Sequence, residues 1–151
     1  MTLRTPSSAA LAFCIVASLN FTEANQTKPE GGANSVNVTV KYAGKGVVDA
    51  NHRLWAWLFT TPDIGPGSIP IAEESIQKYG GTITFANVSA KEVYIAVAYD
   101  EAGGFVGNAP PPPGSPIALY GVKTGADQPV PVVPGPKGSV TLTFNDAQRM
   151  Q

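Results

Sequence analysis

Apolar and polar residues alternate along three stretches of the chain, and a period of two predicts half-buried β-strands. In the first stretch, residues 35–42 (SVNVTVKY), one face collects Val36, Val38, Val40 and Tyr42. The same alternation recurs in residues 81–88 (GTITFANV) and 139–144 (SVTLTF), and residues 93–99 (VYIAVAY) form a further predicted strand with Val93, Ile95, Val97 and Tyr99 on one face. Since successive strand side chains point to opposite faces, we expect each of these strands to bury one face.

Residues 53–59 (RLWAWLF) are apolar on both faces, with Leu54, Ala56 and Leu58 opposite Trp55, Trp57 and Phe59. If the first set faces a core between two sheets, the aromatic set lies on the outer surface of its sheet. Two indoles about 7 Å apart on one strand face can stack on sugar rings or anchor a protein partner. Alternatively, this face is itself core, or it is covered by residues 60–70 or by the proline run 110–113.

The remaining segments are rich in glycine and proline. Residues 60–70 (TTPDIGPGSIP) and 100–116 are predicted loops, and residues 71–78 are either a weak strand or a short helix. Residues 118–120 and 130–133 are predicted short edge strands. Six to eight short strands with no convincing helix predict an all-β fold, a seven- to eight-stranded antiparallel β-sandwich over residues 35–148.

The first residues have the pattern of an export signal. Arg4 precedes the apolar run 9–19 (AALAFCIVASL), and Thr22 and Ala24 are small residues at the −3 and −1 positions of a cleavage site. The run is shorter than the roughly 20 residues that a membrane-spanning helix needs. We therefore predict a signal peptide over residues 1–24, a flexible linker over 25–34, and a secreted or periplasmic mature chain without a membrane span.

Composition excludes several classes of function. The formal net charge is −1 and only 14% of residues are charged, so no basic excess favours nucleic acid. Cys14, the one cysteine, lies in the predicted signal peptide, and neither a Gly-x-Ser-x-Gly motif nor a phosphate-binding glycine loop is present. We therefore expect no enzymatic activity, no cofactor and no metal site.

His52 is the one histidine, and Asp49 precedes it by three residues. An alternative function is a small hydrolase or metal-dependent enzyme centred on His52, with Asp49 and Asp100 as its carboxylates. The simpler interpretation is a turn histidine at the start of a strand, since a zinc site needs more ligands than one histidine supplies.

Three stretches together are similar to known sandwiches: residues 38–59, residues 81–100 (GTITFANVSAKEVYIAVAYD) and residues 114–144. A glycine-led strand, a short turn and a Val-Tyr-Ile-Ala-Val-x-Tyr-Asp strand resemble the transthyretin-like and carboxypeptidase regulatory-like domains, including small exported bacterial domains of unknown function. The resemblance implies a transthyretin-like or immunoglobulin-like sandwich. Residues 100–104 keep two carboxylates of a calcium-loop-like turn, fewer oxygens than calcium prefers.

We therefore expect an exported, non-catalytic β-sandwich with a binding or structural role at the cell envelope. Its partner is expected to be a protein or a carbohydrate, and its candidate binding residues are Trp55, Trp57 and Phe59.

Overall fold

The computed structural model describes residues 34–65, 67–107, 109–122 and 128–151. The predicted signal peptide and nearly all of the predicted linker lie outside these ranges. Seven strands and no helix are found in the described residues, so none of these residues forms a helix of the length and hydrophobicity that a membrane crossing requires. The all-β prediction is confirmed.

Six of the seven strands overlap segments that the sequence predicts as strands. The seven are β1 (Val36–Tyr42), β2 (Leu54–Phe59), β3 (Ala72–Ile76), β4 (Thr82–Phe85), β5 (Tyr94–Tyr99), β6 (Ile117–Leu119) and β7 (Ser139–Phe144). The ambiguous segment 71–78 is thus a strand, because its backbone pairs with β2 along the whole of β3. Residues 130–133, predicted as an edge strand, contribute only an isolated bridge between Val132 and Val93.

The strands form two sheets, with the order β4-β1-β7 in one and β3-β2-β5-β6 in the other. The four-stranded sheet is antiparallel throughout. In the three-stranded sheet β1 is antiparallel to β4 but parallel to β7. The prediction of a wholly antiparallel sandwich is therefore wrong for this one pair, since residues 36–42 and 139–144 run in the same direction. Alternation alone predicts strands and carries no information on their relative direction.

The core lies between the two sheets and consists of the alternating side chains that the sequence predicts. Val36, Val38 and Val40 of β1 face Leu54, Ala56 and Leu58 of β2, and all six are fully buried. At roughly 1.5–3 kcal/mol for each large apolar side chain removed from water, this layer is a major stabilising contribution. No disulfide or metal contributes to it among the described residues, since they contain no cysteine and no cluster of metal ligands.

An aromatic pair closes one end of the sandwich. The rings of Tyr42 and Tyr99 stack with centroids 4.4 Å apart and planes at 23°. The Tyr42 hydroxyl donates a hydrogen bond to Asp146, whose other oxygen accepts the Lys45 backbone N–H at 3.0 Å. The Tyr42 hydrogen bond holds the pKa of Asp146 below its usual range, and burial raises the pKa of Tyr42. These contacts fix residues 43–48 against the C-terminal segment.

The last residues of the chain pair with the segment that leads into β6. The Ile117 N–H donates to the Gln148 carbonyl, and the Met150 N–H donates to the Ser115 carbonyl. Arg149 reaches the Glu101 carboxylate and the Gly114 carbonyl. This pairing places Gln148 and Met150 beside the outer face of the four-stranded sheet.

Candidate functional site

Strand β2 divides its side chains between the two faces as the sequence predicts. Leu54, Ala56 and Leu58 enter the core between the sheets, and the aromatic residues Trp55, Trp57 and Phe59 form a second cluster on the outer face. These three aromatic residues are not open to solvent, because their exposed fractions are 6%, 4% and 8%. Of the alternatives left open by the sequence, a covered outer face is the one observed.

Phe105 and Gly107 lie against Trp55 on the outer face. The two indoles lie 6.1 Å apart with planes at 18°, and the Phe105 ring is 5.0 Å from Trp55 and 6.2 Å from Trp57. Gly107 has a φ of 81°, and a Cβ there would lie 2.7 Å from Glu73 Oε1 and 3.0 Å from Trp55 Cζ3. A side chain at this position would therefore be strained and would crowd the Trp55 indole and the Glu73 carboxylate.

Asp100 holds this loop in place. The residue is 2% exposed, and its two carboxylate oxygens accept the backbone N–H groups of Gly103 at 2.9 Å and Phe105 at 2.8 Å. Hydrogen bonds to an ionised acceptor are among the stronger ones in proteins. Asp100 therefore fixes the segment that carries Phe105, and its carboxylate has a structural role.

A pocket of about 670 Å³ opens beside the covered indoles, on the Trp57 and Phe59 side of the same sheet face. Trp57, Phe59 and Ala96 belong to its floor strands, β2 and β5. Its walls come from four mainly apolar segments: residues 64, 65 and 67–71, Pro110 with Pro111, Ile117 with Leu119, and the C-terminal pair Gln148 and Met150. The volume lies in the range of small-molecule pockets, about 300–1,000 Å³.

The proline run contributes to this wall. Pro110 and Pro111 line the pocket, whereas Pro112 and Pro113 line a smaller surface depression near Arg149. The sequence suggested that the prolines cover Trp55 and Trp57. In the structure they border Trp57, and the cover over Trp55 comes from Phe105 and Gly107.

Glu73 is the one ionisable residue among the described residues that line the pocket. It lies on β3, opposite Trp57 in the β2–β3 register, and its Oε2 accepts the Trp57 indole N–H at 3.2 Å. The hydroxyl of Ser68, a polar lining group, accepts the Gly65 N–H at 2.9 Å and donates to the Asp63 carbonyl at 3.0 Å. Ser68 therefore orders the pocket wall.

The rim of the pocket is apolar and exposed. Ile69 is 86% exposed and Ile71 is 48% exposed, and both belong to the loop between β2 and β3. Single exposed aliphatic residues are common on protein surfaces. Here they border a concave apolar pocket, which is the arrangement that protein-binding surfaces use.

His52 lies in the turn before β2 and bonds to Asp49. Asp49 Oδ1 accepts the backbone N–H groups of His52 and Asn51, both at 2.8 Å, and lies 3.0 Å from His52 Nδ1. These hydrogen bonds, the His52 N–H foremost, lower the pKa of Asp49. Asp100, the second carboxylate of the enzyme alternative, accepts the N–H groups of Gly103 and Phe105. These hydrogen bonds do not join it to His52 and Asp49. In the described ranges no three His, Cys, Asp or Glu residues are grouped to hold a metal ion.

No family model, curated protein or solved structure matches the chain. The resemblance to transthyretin-like domains therefore remains a proposal, and the interpretation of the site depends on the geometry of the pocket and of the aromatic residues beside it.

Two parts of the site were not apparent from the sequence. The sequence places Phe105 in the predicted loop 100–116, where no periodicity indicates what its ring contacts. Glu73 was placed in the ambiguous segment 71–78, where the period was too weak to assign a face. The pairing of Glu73 with Trp57 depends on the β2–β3 register, which only the folded chain provides.

Proposed function

We propose that this chain is an exported, non-catalytic β-sandwich module that binds a partner protein at the cell envelope or outside the cell. The observation that carries the proposal is the apolar pocket of about 670 Å³ beside Trp57 and Phe59, with the exposed Ile69 and Ile71 at its rim. Apolar side chains inserted into such desolvated pockets supply most of the binding energy at protein interfaces.

A protein partner is supported better than a carbohydrate. Sugars stack on open aromatic faces and need polar groups to bond their hydroxyls. Trp55 and Trp57 are 6% and 4% exposed, under Phe105 and the neighbouring loops. The pocket lining is mostly aliphatic, so it suits an apolar side chain of a protein and offers few partners for sugar hydroxyls.

For the fold family, we propose transthyretin-like rather than immunoglobulin-like architecture. The strand orders β4-β1-β7 and β3-β2-β5-β6 support this choice. An immunoglobulin constant domain pairs its first, second, fifth and fourth strands in one sheet and its third, sixth and seventh in the other. An experimental structure with the immunoglobulin order would overturn the assignment.

Export is supported by the signal pattern of residues 1–24, and the absence of cysteine from residues 25–151 is compatible with either a periplasmic or an extracellular location. The non-catalytic assignment is supported by the surroundings of His52. Its Nδ1 is engaged with Asp49 in a local turn, and neither residue lines the pocket.

Site-specific photocrosslinking tests the proposal. A benzoylphenylalanine placed at Ile69 is expected to form an adduct with a protein in the cells that produce the chain, and the Ala96→Phe change in the same chain is expected to abolish it. Ala96 is a half-buried floor residue, so the larger ring occupies part of the pocket beside Trp57. Both chains must show the same unfolding transition.

The matched control is the same crosslinker at Val47. Val47 is 65% exposed and lies at the Tyr99 end of the sandwich, outside the pocket lining. Equal adducts from Val47 and Ile69, or an Ile69 adduct that survives Ala96→Phe, would contradict the proposal. Stacking of soluble oligosaccharides, seen as saturable quenching of tryptophan fluorescence, would favour the carbohydrate alternative.

A further inference from the structure

We infer that this chain forms a symmetric dimer through the outer edge of β7, where β7 of a second copy adds to the three-stranded sheet in antiparallel orientation. The pocket lies on the four-stranded sheet, so this inference does not depend on the proposed function. It starts from the backbone hydrogen bonds of β7, which pair this strand with β1 alone among the described strands.

The backbone of β7 directs alternate residues toward β1 and away from it. The Asn37 N–H donates to the Gly138 carbonyl at 2.7 Å, at the start of the parallel β1–β7 pair. With this phase, the N–H and C=O groups of every second residue of β7 point to the outer edge, and these residues are Ser139, Thr141 and Thr143. Within the part of the chain that the structure describes, these backbone groups have no hydrogen-bond partner.

The other three sheet edges have features that oppose the addition of a strand. β4 is four residues long, β3 contains Glu73 and Glu74, and β6 is flanked by the C-terminal segment, where the Gln148 carbonyl accepts the Ile117 N–H. Proteins protect sheet edges by short length, by charge and by covering segments. The β7 sequence, SVTLTF, has no charge, proline or glycine, and it stays in register with β1 throughout. β7 is therefore the edge that is open to a further strand.

The edge of β7 is complementary to itself. In an antiparallel pair centred on Thr141, this residue lies opposite Thr141 of the second copy, and Ser139 lies opposite Thr143, so each outward N–H and C=O group gains a partner. The side chains of these residues are exposed, and Thr–Thr and Thr–Ser are favourable cross-strand pairs. On the core side, the half-buried Val140 comes opposite Leu142 of the second copy. The two-fold axis closes the assembly at a dimer.

The charges that flank β7 favour the antiparallel arrangement. Lys137 precedes the strand and Asp146 follows it. An antiparallel second copy brings the basic end of each strand toward the acidic end of the other, and complementary charges favour association in that orientation. A parallel copy brings like charges together. The second copy thus satisfies both the backbone groups and the charges of this edge.

Sedimentation velocity of the mature chain tests the inference, and we expect a monomer–dimer equilibrium that depends on protein concentration. Thr141→Lys places two ammonium groups directly opposite each other at the two-fold axis, so it should raise the Kd of the dimer about tenfold or more. Thr82→Lys is the matched control and should leave the Kd unchanged. Thr82 is exposed on the same face of the same sheet, but it lies on β4 at the opposite edge.

Single cysteines test the register, because residues 25–151 contain no cysteine of their own. Thr141→Cys should form a disulfide-linked dimer under mild oxidation, since directly opposite Cα atoms in a hydrogen-bonded antiparallel pair lie about 5.5 Å apart, within the range of a disulfide. Thr143→Cys alone should not crosslink, because its opposite residue is Ser139. A mixture of Ser139→Cys and Thr143→Cys chains should crosslink as a heterodimer.

A mature chain that stays monomeric up to about 1 mM would overturn the inference and leave the edge to a strand of another protein. Equal effects of the two lysine variants, or equal crosslinking by Thr141→Cys and Thr143→Cys, would overturn it as well. All variants must keep the wild-type unfolding transition, which their exposed positions favour. Photocrosslinking at Ile69 reports on the pocket, so its failure would overturn the proposed function without affecting the dimer.

Discussion

The ring of Phe105 meets the indole of Trp55 edge-on, with the two centroids 5.0 Å apart and the planes at 73°. Edge-to-face geometry is favourable for aromatic pairs, and it contributes about 0.5–1.5 kcal/mol beyond simple burial. Phe105 reaches this position because its own backbone N–H bonds to the buried Asp100. Asp100 thus anchors the loop that carries Phe105 over Trp55.

Replacement of Asp100 by alanine should release the loop and uncover the indoles. The change removes two charge-assisted hydrogen bonds, to Gly103 and Phe105, so we expect the free energy of unfolding to fall by about 2–4 kcal/mol. The tryptophan emission of the folded variant should shift to the red, and iodide should quench it more. Denaturant unfolding and fluorescence measure the two effects.

Glu101→Ala is the control for the Asp100 change, because Glu101 is the next residue but bonds to the exposed Arg149. It should leave the emission maximum of Trp55 and Trp57 unchanged and cost less than about 1 kcal/mol. An unshifted emission spectrum for Asp100→Ala would show that Phe105 keeps its place by packing alone.

The double change Trp55→Ala with Trp57→Ala should unfold the domain or bring it close to unfolding. Both indoles are buried in the outer-face cluster with Phe59, Tyr94 and Ala98. A buried tryptophan replaced by alanine costs about 3–5 kcal/mol, and a domain of this size has about 5–15 kcal/mol in total. Thermal unfolding followed by circular dichroism measures the loss. A double variant with nearly unchanged stability would show that the indoles are dispensable contact residues.

Alternation along the chain is sufficient to predict β1, β4, β5 and β7 and the side chains that each buries. The periodicity succeeds there because one face of each strand contacts the core, while the other face is polar in β1, β4 and β7 and carries Tyr94 and Ala98 of the outer-face cluster in β5. It fails for β3, whose sequence AEESI has only one large apolar residue, because this strand lies at a sheet edge and is stabilised by pairing with β2.

The site itself depends on contacts between segments that are distant along the chain. Sequence places Trp55, Trp57 and Phe59 on one strand face, and the structure agrees. It gives no information on whether Phe105 covers Trp55, or whether Met150 and Pro111 border the same pocket as Trp57. Those contacts depend on how two long loops and the C-terminal segment fold back over the sheet, and loop conformation is not encoded in hydrophobic periodicity.

Replacement of His52 by alanine should leave partner binding at the pocket unchanged and lower the free energy of unfolding by less than about 1 kcal/mol. The imidazole is part of an exposed turn, and the backbone N–H of His52 keeps its bond to Asp49 in the variant. Binding titrations and denaturant unfolding measure both quantities. A large loss of binding, or a hydrolytic activity that disappears with His52, would revive the enzyme alternative.

The mature chain is expected to begin at Asn25. Thr22 and Ala24 occupy the −3 and −1 positions, where signal peptidase requires small side chains. Amino-terminal sequencing of the protein recovered from outside the cytoplasm tests this, and Ala24→Tyr is expected to block or displace the cleavage. A recovered chain that still begins at Met1 would contradict both the cleavage site and the proposed export.

Acid should weaken the contact between Tyr42 and Asp146, and with it the end of the sandwich that holds residues 43–48. The Tyr42 hydroxyl lowers the pKa of Asp146 below its ordinary value, so the carboxylate form is stabilised by folding. A carboxyl whose pKa is lower in the folded chain adds stability above its unfolded pKa, about 3.9, and that stability is lost as pH falls through the folded value. Tyr42→Phe should therefore lower the free energy of unfolding near pH 6, and this variant should lose less of it on acidification than the wild type does. Urea unfolding between about pH 6 and pH 2 measures both differences.

Tyr79→Phe is the control, because the Tyr79 hydroxyl donates to the Gly46 carbonyl, which does not titrate. If wild type and Tyr42→Phe lose equal stability over this range, the pair does not contribute to the acid response.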